Sequence, residues 1–168
     1  MGAGIVINDR LFTGKQGMAG EIGHSTLQID GPLCSCGRKG CAETFFGART
    51  LAKFPDPAQG GRYLGVVLQN LWTTFNPSTL VVDGPSCDTY PGIVKVAQTT
   101  LQAYADAAGM SPPQVRAARY GLLASAVGAA ALVLHHELRP MHTRLQAPLV
   151  QALEAPDESL SITASTTV

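Results

Sequence analysis

The sequence is poor in charged residues, since Asp, Glu, Lys and Arg make up only 14% of its 168 positions. Its 12 basic and 12 acidic side chains balance to a formal net charge of zero. Such a chain has no bulk electrostatic attraction for nucleic acid or for anionic membranes. The basic residues nearest to a cluster are Arg10, Lys15, Arg38 and Lys39. They are too scattered along the sequence to predict a DNA-binding stripe.

An export signal and a long apolar run are also missing from the sequence. Residues 1–8 have no basic stretch followed by a long apolar core, so we expect no secretory signal. The longest apolar run, residues 121–134, is short for a membrane span. Its Gly and Ala content predicts a close-packed helix in a soluble core instead. We therefore expect a cytoplasmic protein, with no membrane partner, in which thiols stay reduced.

The pattern of apolar residues predicts an α/β fold. Residues 3–8 and 10–13 flank an Asn-Asp turn and predict a β-hairpin. Further strands are predicted at residues 26–29, 79–83 and 114–118, and helices at residues 43–53, 62–75, 92–108 and 121–138. Pro55, Pro57, Gly60 and Gly61 are expected to separate the first two helices. Alternating helices and strands after a hairpin are typical of an α/β domain.

Beyond residue 140 the apolar periodicity ends and Ser and Thr become frequent. We expect a poorly ordered, flexible tail over residues 141–168. Residues 1–140 then form the folded domain.

Cysteine is scarce and unevenly placed. Cys34, Cys36 and Cys41 lie within eight residues of one another, whereas Cys87 stands alone. In a reducing compartment such a cluster indicates a metal site rather than a disulfide framework. With His24, three thiolates and one imidazole make a tetrahedral zinc set that leaves no position for a catalytic water. A closed site of this kind would be structural and would stabilise a loop with little core of its own.

The alternative is that the cysteines are ordinary buried thiols and that His24 is a hydrogen-bonded histidine of the core. The glycines Gly37 and Gly40 weigh against it, because they allow the backbone to fold tightly enough for the three thiols to converge. For three cysteines in a glycine-rich loop we therefore favour zinc over this alternative.

Two glutamates frame the predicted zinc ligands. Glu21 precedes His24 by three residues, and Glu43 follows Cys41 by two. A carboxylate can accept two hydrogen bonds, and the neighbouring hydroxyls of a sugar can donate a matching pair. His24 could bind zinc through one ring nitrogen and offer the other to a sugar hydroxyl. The alternative is that both glutamates are surface residues and that Glu43 only favours a helix N-terminus.

These motifs together resemble the signature of the ROK family (repressor, open reading frame, kinase). The likeness covers the run from Gly2 to Asn8, the sequence Gly-Glu-Ile-Gly-His ending at His24, and the cysteine loop. It continues through Phe-Asn-Pro at residues 75–77, Asp-Gly at 83–84 and residues 127–131, so it spans about residues 2–140. The resemblance implies one lobe of an actin-like (ribonuclease-H-like) ATPase-type fold, with a zinc-binding loop inserted at about residues 24–43.

By the same resemblance, each predicted site residue takes a role. Zinc would be held by His24, Cys34, Cys36 and Cys41. A sugar would be bound by Glu21, His24 and Glu43.

The resemblance covers only the second of the family's two lobes, and that lobe is clipped at its N-terminus. The family's first lobe carries a phosphate-binding loop and the aspartate that acts as catalytic base. Its repressors also carry an N-terminal winged helix-turn-helix. Neither has a counterpart in this chain, so we predict no catalytic residue here and DNA binding only through a domain that this chain lacks. Family members suggest a homo-oligomer, either a dimer or a tetramer.

The sequence around Asp83 favours one class of parent protein. Kinases of the family usually have two glycines where this chain has Asp83-Gly84 followed by Pro85. The aspartate adds bulk and charge near the place of the nucleotide base, and the proline removes a backbone donor. Repressors responsive to N-acetylglucosamine or glucose are similar in carrying a proline here. A simple turn is the alternative interpretation.

We therefore expect the sugar-binding effector domain of a ROK transcriptional regulator, with structural zinc as its cofactor and a small-molecule sugar as its partner. The alternative is part of a ROK sugar kinase, which would phosphorylate a hexose or N-acetylhexosamine and use ATP. A zinc-ribbon-like nucleic-acid module is disfavoured by the zero net charge.

Overall fold

The computed structural model describes residues 1–138 of the chain, and these residues divide into two compact units, residues 1–124 and the unit that begins at Ser125. The strands are β1 Ile5–Ile7, β2 Arg10–Phe12, β3 Thr79–Val82 and β4 Gln114–Ala117. The α-helices are α1 Glu43–Phe46, α2 Ala48–Lys53, α3 Pro57–Phe75, α4 Pro85–Thr89, α5 Gly92–Ala108 and α6 Ala124–Leu138. Short 3₁₀ turns cover Ile22–His24 and Gly121–Leu123. The α/β character predicted from the sequence is confirmed.

The hydrophobic core of the first unit is built around α3 and α5. Its buried residues are Ala42, Phe46, Leu51, Leu64, Val67, Leu68, Trp72, Ile93, Ala97, Leu101 and Ala105. Ala42 and Phe46 stand at the start and end of α1, directly after the cysteine loop. The core therefore fixes the position of the chain immediately beyond the predicted metal ligands.

Glycines let α3 and α5 approach closely. A Cβ on Gly61 would lie 2.6 Å from the Cβ of Val96, and one on Gly65 would lie 2.5 Å from the Cβ of Thr100. Real Cβ atoms do not come so close to a neighbouring carbon atom, so no larger residue fits at either position without a shift of the helices. Residues four apart lie on one face of a helix, which explains the spacing of the two glycines.

The start of α3 shows that the prediction for Pro57, Gly60 and Gly61 was wrong, because these residues lie within the helix and do not separate it from the one before. Pro57 is instead the first residue of the helix, where its missing N–H costs nothing. The carboxylate of Asp56 caps this end by accepting a hydrogen bond from the Gln59 backbone N–H at 2.9 Å. The helix therefore begins five residues earlier than the apolar periodicity alone indicates.

The four strands form two separate pairs. Strands β1 and β2 are antiparallel, with Val6 opposite Leu11, and they are joined by Asn8 and Asp9 at φ angles of 50° and 60°. Two left-handed residues are what a tight type I′ hairpin turn requires, so the predicted hairpin is confirmed. Strands β3 and β4 are parallel, and Gln98 on α5 donates to the carbonyl of Val115 at 3.1 Å.

Other local predictions differ in outcome. The helix predicted at residues 92–108 is confirmed at both ends. The strand predicted at residues 26–29 is wrong, because the pairing there is an isolated bridge between Thr26 and Cys41. The helix predicted at residues 43–53 is two helices, since Gly47 between them has an extended ψ of 153°.

The last described helix, α6, departs from its predicted environment. We expected it to be close-packed in the core, yet its large apolar side chains are exposed, namely Val127, Leu132, Val133, Leu134 and Leu138. The predicted tail at residues 141–168 lies outside the described residues. Within residues 1–138, none of the helices combines the length and the apolar character that a membrane crossing requires.

The close contact at Gly65 generates a prediction about stability. Gly65→Ala should lower the free energy of unfolding by about 1–3 kcal/mol, because the added methyl overpacks the interface with Thr100. Gly92→Ala is the matched control, since a Cβ there meets no atom within 4 Å. Urea denaturation of both variants measures the effect, and equal stabilities would show that α3 and α5 move apart at little cost.

Candidate functional site

The structure brings His24, Cys34, Cys36 and Cys41 together. One ligand atom from each of these residues lies within 4.8 Å of the ligand atoms of the other three. The Sγ of Cys34 is 3.7 Å from the Nδ1 of His24, and the Sγ atoms of Cys36 and Cys41 are also 3.7 Å apart. Cys34 and Cys41 are buried, His24 is half-buried and Cys36 is exposed. The four predicted metal ligands therefore converge on one point near the surface.

A tight turn places Cys34 and Cys36. The backbone N–H of Cys34 donates to the carbonyl of Arg38 at 2.8 Å, and the N–H of Gly37 donates to the carbonyl of Cys34 at 3.0 Å. Gly37 has a φ of 87°, a left-handed conformation that glycine adopts without strain. The turn reverses the chain within four residues, so the two thiols lie side by side.

Hydrogen bonds between two loop segments bring Cys41 to His24. Leu27 donates to the carbonyl of Gly40 at 2.8 Å, and Ala42 donates to the carbonyl of Ser25 at 2.9 Å. Gly40 is necessary at this crossing, because a Cβ there would lie 1.5 Å from the carbonyl oxygen of Gln28. The segment that follows His24 therefore runs beside the end of the cysteine loop.

Two of the separations between ligand atoms are close to those around a tetrahedral zinc ion, and all of the separations are within 4.8 Å. Two thiolates bound to one zinc at about 2.3 Å lie about 3.8 Å apart, and a thiolate and an imidazole nitrogen lie about 3.6 Å apart. The observed separations of 3.7 Å agree with both values. Because Nδ1 is the ring nitrogen of His24 that faces Cys34, it is the nitrogen suited to a metal. The Nε2 atom is then left for another hydrogen bond.

Hydrogen bonds and burial shift the pKa of two cysteines of the loop in opposite directions. The pKa of Cys36 is lowered to about 6, chiefly by a hydrogen bond from the backbone of Arg38 and then by one from its side chain. The pKa of Cys41 is raised to about 11, first by burial and then by hydrogen bonds with Cys36 and Cys34. At neutral pH Cys36 is therefore a thiolate, whereas Cys41 must release a proton when a metal binds.

Glu43 adjoins this cluster. It is the first residue of α1, its side chain is 30% exposed, and its Oε2 accepts a hydrogen bond from the N-terminal ammonium of Met1 at 2.5 Å. Its backbone carbonyl accepts from the N–H of Gly47 at 3.1 Å and from the hydroxyl of Thr50 at 3.2 Å. The position at the start of a helix agrees with the alternative drawn from the sequence. The contact with Met1 also shows that the carboxylate is accessible to a hydrogen-bond donor.

Glu21 caps the start of the 3₁₀ turn Ile22–His24. Its side chain is exposed, and its backbone carbonyl accepts from the N–H of His24 at 3.0 Å. Gly23 lies between the two residues, and a Cβ there would be 2.9 Å from the Oε2 of Glu43. The carboxylate of Glu43 is thus next to the segment that carries both Glu21 and His24.

Sequence reasoning missed two residues of this site, Gly23 and Gly47. Each would place a Cβ within 3 Å of the Glu43 carboxylate. The sequence signals them only as glycines close to the predicted ligands, and their role depends on a distance between chain segments.

Cys87 takes no part in the cluster, as its isolated position in the sequence predicts. It lies on α4 and is half-buried. Burial raises the pKa of its thiol, and the carboxylates of Asp83 and Asp88 raise it further. Cys87 therefore provides an internal control for experiments on the other three cysteines.

Comparison with known proteins gives a match to one family over the first third of the chain. The model of the ROK family matches residues 1–56. The xylose repressor of Bacillus subtilis is 25% identical over 163 residues, which cover 82% of this chain and 42% of the repressor. The N-acetylmannosamine kinase of Vibrio cholerae is 43% identical over 53 residues, which cover 32% of this chain and 18% of the kinase. Residues 1–56 thus match the ROK family, and the chain is similar both to a repressor and to a kinase.

The fold of the chain is similar to that of a solved structure. It is similar to the ROK hexokinase of Thermus thermophilus, with a TM-score of 0.69 and 28% sequence identity over 78% of this chain and 52% of the hexokinase. The expected actin-like, ribonuclease-H-like lobe is thereby confirmed. The chain spans about half the length of the hexokinase and less than half that of the repressor.

The geometry of the cluster predicts the effect of removing one of its metal-binding side chains. The purified chain should bind one zinc ion per molecule, and Cys36→Ala should lose it because three ligands hold zinc more weakly than four. Cys87→Ala is the matched control and should retain the metal. Elemental analysis after dialysis against a weak chelator gives the stoichiometry. Equal zinc content in the wild type and in Cys36→Ala would contradict the assignment.

Proposed function

We propose that this chain is the sugar-binding effector domain of a ROK transcriptional regulator and that zinc braces its binding site. The observation that carries the proposal is the convergence of His24 with three cysteines beside the Glu43 carboxylate. Such an arrangement joins a structural metal site to a group of hydrogen-bonding side chains. The name of the xylose repressor supplies a precedent for a regulator in this family.

Zinc acts in this proposal as a support, without taking part in a reaction. Four protein ligands fill a tetrahedral shell and leave no open position for water or substrate. Binding through Nδ1 would fix the plane of the His24 ring and direct Nε2 away from the cysteines. The metal therefore orients a group that can bind a ligand.

The carboxylates of Glu21 and Glu43 would accept hydrogen bonds from the sugar. Charged acceptors form stronger hydrogen bonds with hydroxyl donors than neutral ones do. The Oε2 of Glu43 accepts a hydrogen bond from the Met1 ammonium, and in this proposal a sugar hydroxyl would be the donor to a carboxylate oxygen. Glu21 is exposed and stands three residues before His24, so it can approach a ligand from the solvent side.

The carboxyl end of β3 supports a regulator over a kinase. The strand ends at Val82, Gly84 follows with a φ of 127°, and Pro85 begins α4. A proline at the first position of this helix has no N–H to offer a phosphate or a base. Asp83 adds a negative charge at the same edge, which would repel nucleotide phosphates.

A sugar kinase is the second candidate function. The similarity to the Thermus thermophilus hexokinase over 78% of this chain favours it. In that case the parent protein would use ATP, and this chain would contribute the sugar-binding side of the active site. The two functions share the zinc and sugar sites, so only nucleotide chemistry separates them.

The role of Glu43 can be tested by sugar binding. Glu43→Gln should weaken binding by about tenfold or more, because a hydrogen bond to a charged acceptor contributes about 1.5–3 kcal/mol. Asp106→Asn, which alters an exposed carboxylate on α5, is the control and should bind like the wild type. Titration of glucose, xylose and N-acetylmannosamine, followed by saturation-transfer NMR, provides the measurement. Unchanged affinity in Glu43→Gln for every sugar that binds would sink the proposed site.

Nucleotide turnover tests whether this chain acts as a kinase by itself. We expect the 168-residue chain to bind a sugar without sugar-dependent release of ADP, since we assign no catalytic base among residues 1–138. A coupled assay with the same three sugars measures turnover, with a functional hexokinase as positive control. Sugar-dependent release of ADP that disappears in Glu43→Gln would favour the kinase instead.

A further inference from the structure

We propose that Gly23 and Gly47 are positioning residues, because their lack of a side chain leaves the space that allows the two oxygens of the Glu43 carboxylate their observed direction. The inference rests on the proposed sugar site, because it explains how that site orients its half-buried carboxylate. It assigns a role to two residues outside the set predicted to bind zinc or sugar.

Gly47 is a glycine for reasons of space and not of backbone conformation. Its φ of −58° and ψ of 153° are angles that any residue adopts. A Cβ at this position would lie 2.5 Å from Oε1 of Glu43 and 2.9 Å from its Cδ. The same Cβ would lie 2.5 Å from the backbone carbonyl oxygen of Glu43. The carboxylate therefore occupies the volume that a side chain at position 47 would need.

Gly23 leaves room in the same way for the other carboxylate oxygen of Glu43, Oε2. It is buried within the 3₁₀ turn Ile22–His24, and it is absent from the glycines with a left-handed φ. A Cβ there would lie 2.9 Å from Oε2 of Glu43 and 2.5 Å from the carbonyl oxygen of Met1. Each oxygen of Glu43 thus faces a different glycine, Oε1 toward Gly47 and Oε2 toward Gly23.

Three other glycines of the chain are required by their backbone conformation. Gly37, Gly84 and Gly109 have φ angles of 87°, 127° and 63°, and an added Cβ at each would meet no atom within 4 Å. Their backbone conformation requires glycine, whereas space alone requires it at Gly23 and Gly47. The contrast separates turn-forming glycines from the two that surround a functional carboxylate.

The backbone of Glu43 is held independently of its side chain. Its carbonyl accepts hydrogen bonds from the N–H of Gly47 and the hydroxyl of Thr50. The Met1 ammonium bonds Oε2 of the carboxylate, and the two glycines leave the space in which both of its oxygens lie. A binding group must be held within about 0.5 Å of its productive position. A methyl group at 2.5 Å from Oε1 would displace that oxygen by more than this margin, because ordinary contacts are about 3.4 Å or longer.

A thermal double-mutant cycle tests the contact without any sugar. Gly47→Ala should lower the melting temperature of the wild type by about 4–8 °C. In a Glu43→Ala background the shift should be markedly smaller, because the carboxylate that clashes with the methyl is gone. Gly23→Ala provides a second, independent cycle, and Gly92→Ala should cause little shift in either background. Equal shifts in both backgrounds would overturn the proposal, since the methyl would then clash only with backbone.

The same cycle covers variants that fail to fold. If Gly47→Ala or Gly23→Ala yields no folded protein, recovery of folding with Glu43→Ala supports the contact. Failure to recover in both cycles counts against it.

Glucose binding, followed by saturation-transfer NMR, supplies the functional readout. Gly23→Ala and Gly47→Ala should each weaken glucose binding by about tenfold while the zinc content stays unchanged. Glu43→Asp should partly restore binding to Gly47→Ala, because the shorter side chain withdraws from the methyl. Wild-type affinity in both glycine variants, with loss in Glu43→Gln, would overturn the inference and leave the proposed function intact. Wild-type affinity in Glu43→Gln would reject the proposed function, while the thermal cycle still decides whether the glycines position the carboxylate.

Discussion

The close packing of α3 against α5 is the contact on which the rest of the first unit depends. Gly61 and Gly65 bring the two helix backbones together, and the buried side chains of both helices fill the space around that contact. Ala42 and Phe46 join the same core from α1, so the end of the cysteine loop is fixed to it. A change in the distance between the helices would therefore move Glu43, which starts α1, relative to His24. The site depends in this way on a packing interface that it does not touch.

The cysteine loop itself has little apolar packing to stabilise it. Ile29 and Leu33 are 83% and 71% exposed, so two large apolar side chains of the loop lie in solvent. Its described structure consists of turns, two isolated bridges and the convergence of four metal-binding side chains. A structural zinc ion supplies folding free energy to segments of this kind. We infer that the metal takes the place of the hydrophobic core that the loop does not form.

Sequence and structure agree where local physics decides the outcome. The left-handed Asn8-Asp9 turn and the periodicity of α5 depend on neighbouring residues, and both were predictable. The prediction of a strand at residues 26–29 was wrong, because a strand requires a ladder of pairs with a partner segment. Here the pairing is a single bridge, between Thr26 and Cys41. The first turn of α3 was missed because Pro57 was interpreted as a break, whereas the Asp56 cap makes it a helix start.

The same distinction applies to the site. The grouping of His24 with the cysteines was predictable, because three cysteines in a glycine-rich loop near a histidine indicate a metal site. The contribution of Gly23 and Gly47 was not predictable, because it depends on where the side chain of Glu43 lies in space. The sequence thus identifies the groups that carry the chemistry, and the structure adds the residues whose small size makes room for them.

The exposure of the site limits how much affinity this chain can provide. Glu21 is exposed and Glu43 is 30% exposed, so water competes for every hydrogen bond that a sugar makes with them. Even at about 1.5–3 kcal/mol for each hydrogen bond to a charged group, two of them would give the proposed sugar site only about millimolar affinity. Tighter binding requires a second surface that excludes water and strengthens the same contacts. Since the names of two relatives of this chain, a xylose repressor and an N-acetylmannosamine kinase, refer to different sugars, we infer that such a surface, rather than Glu21 and Glu43, would select the sugar.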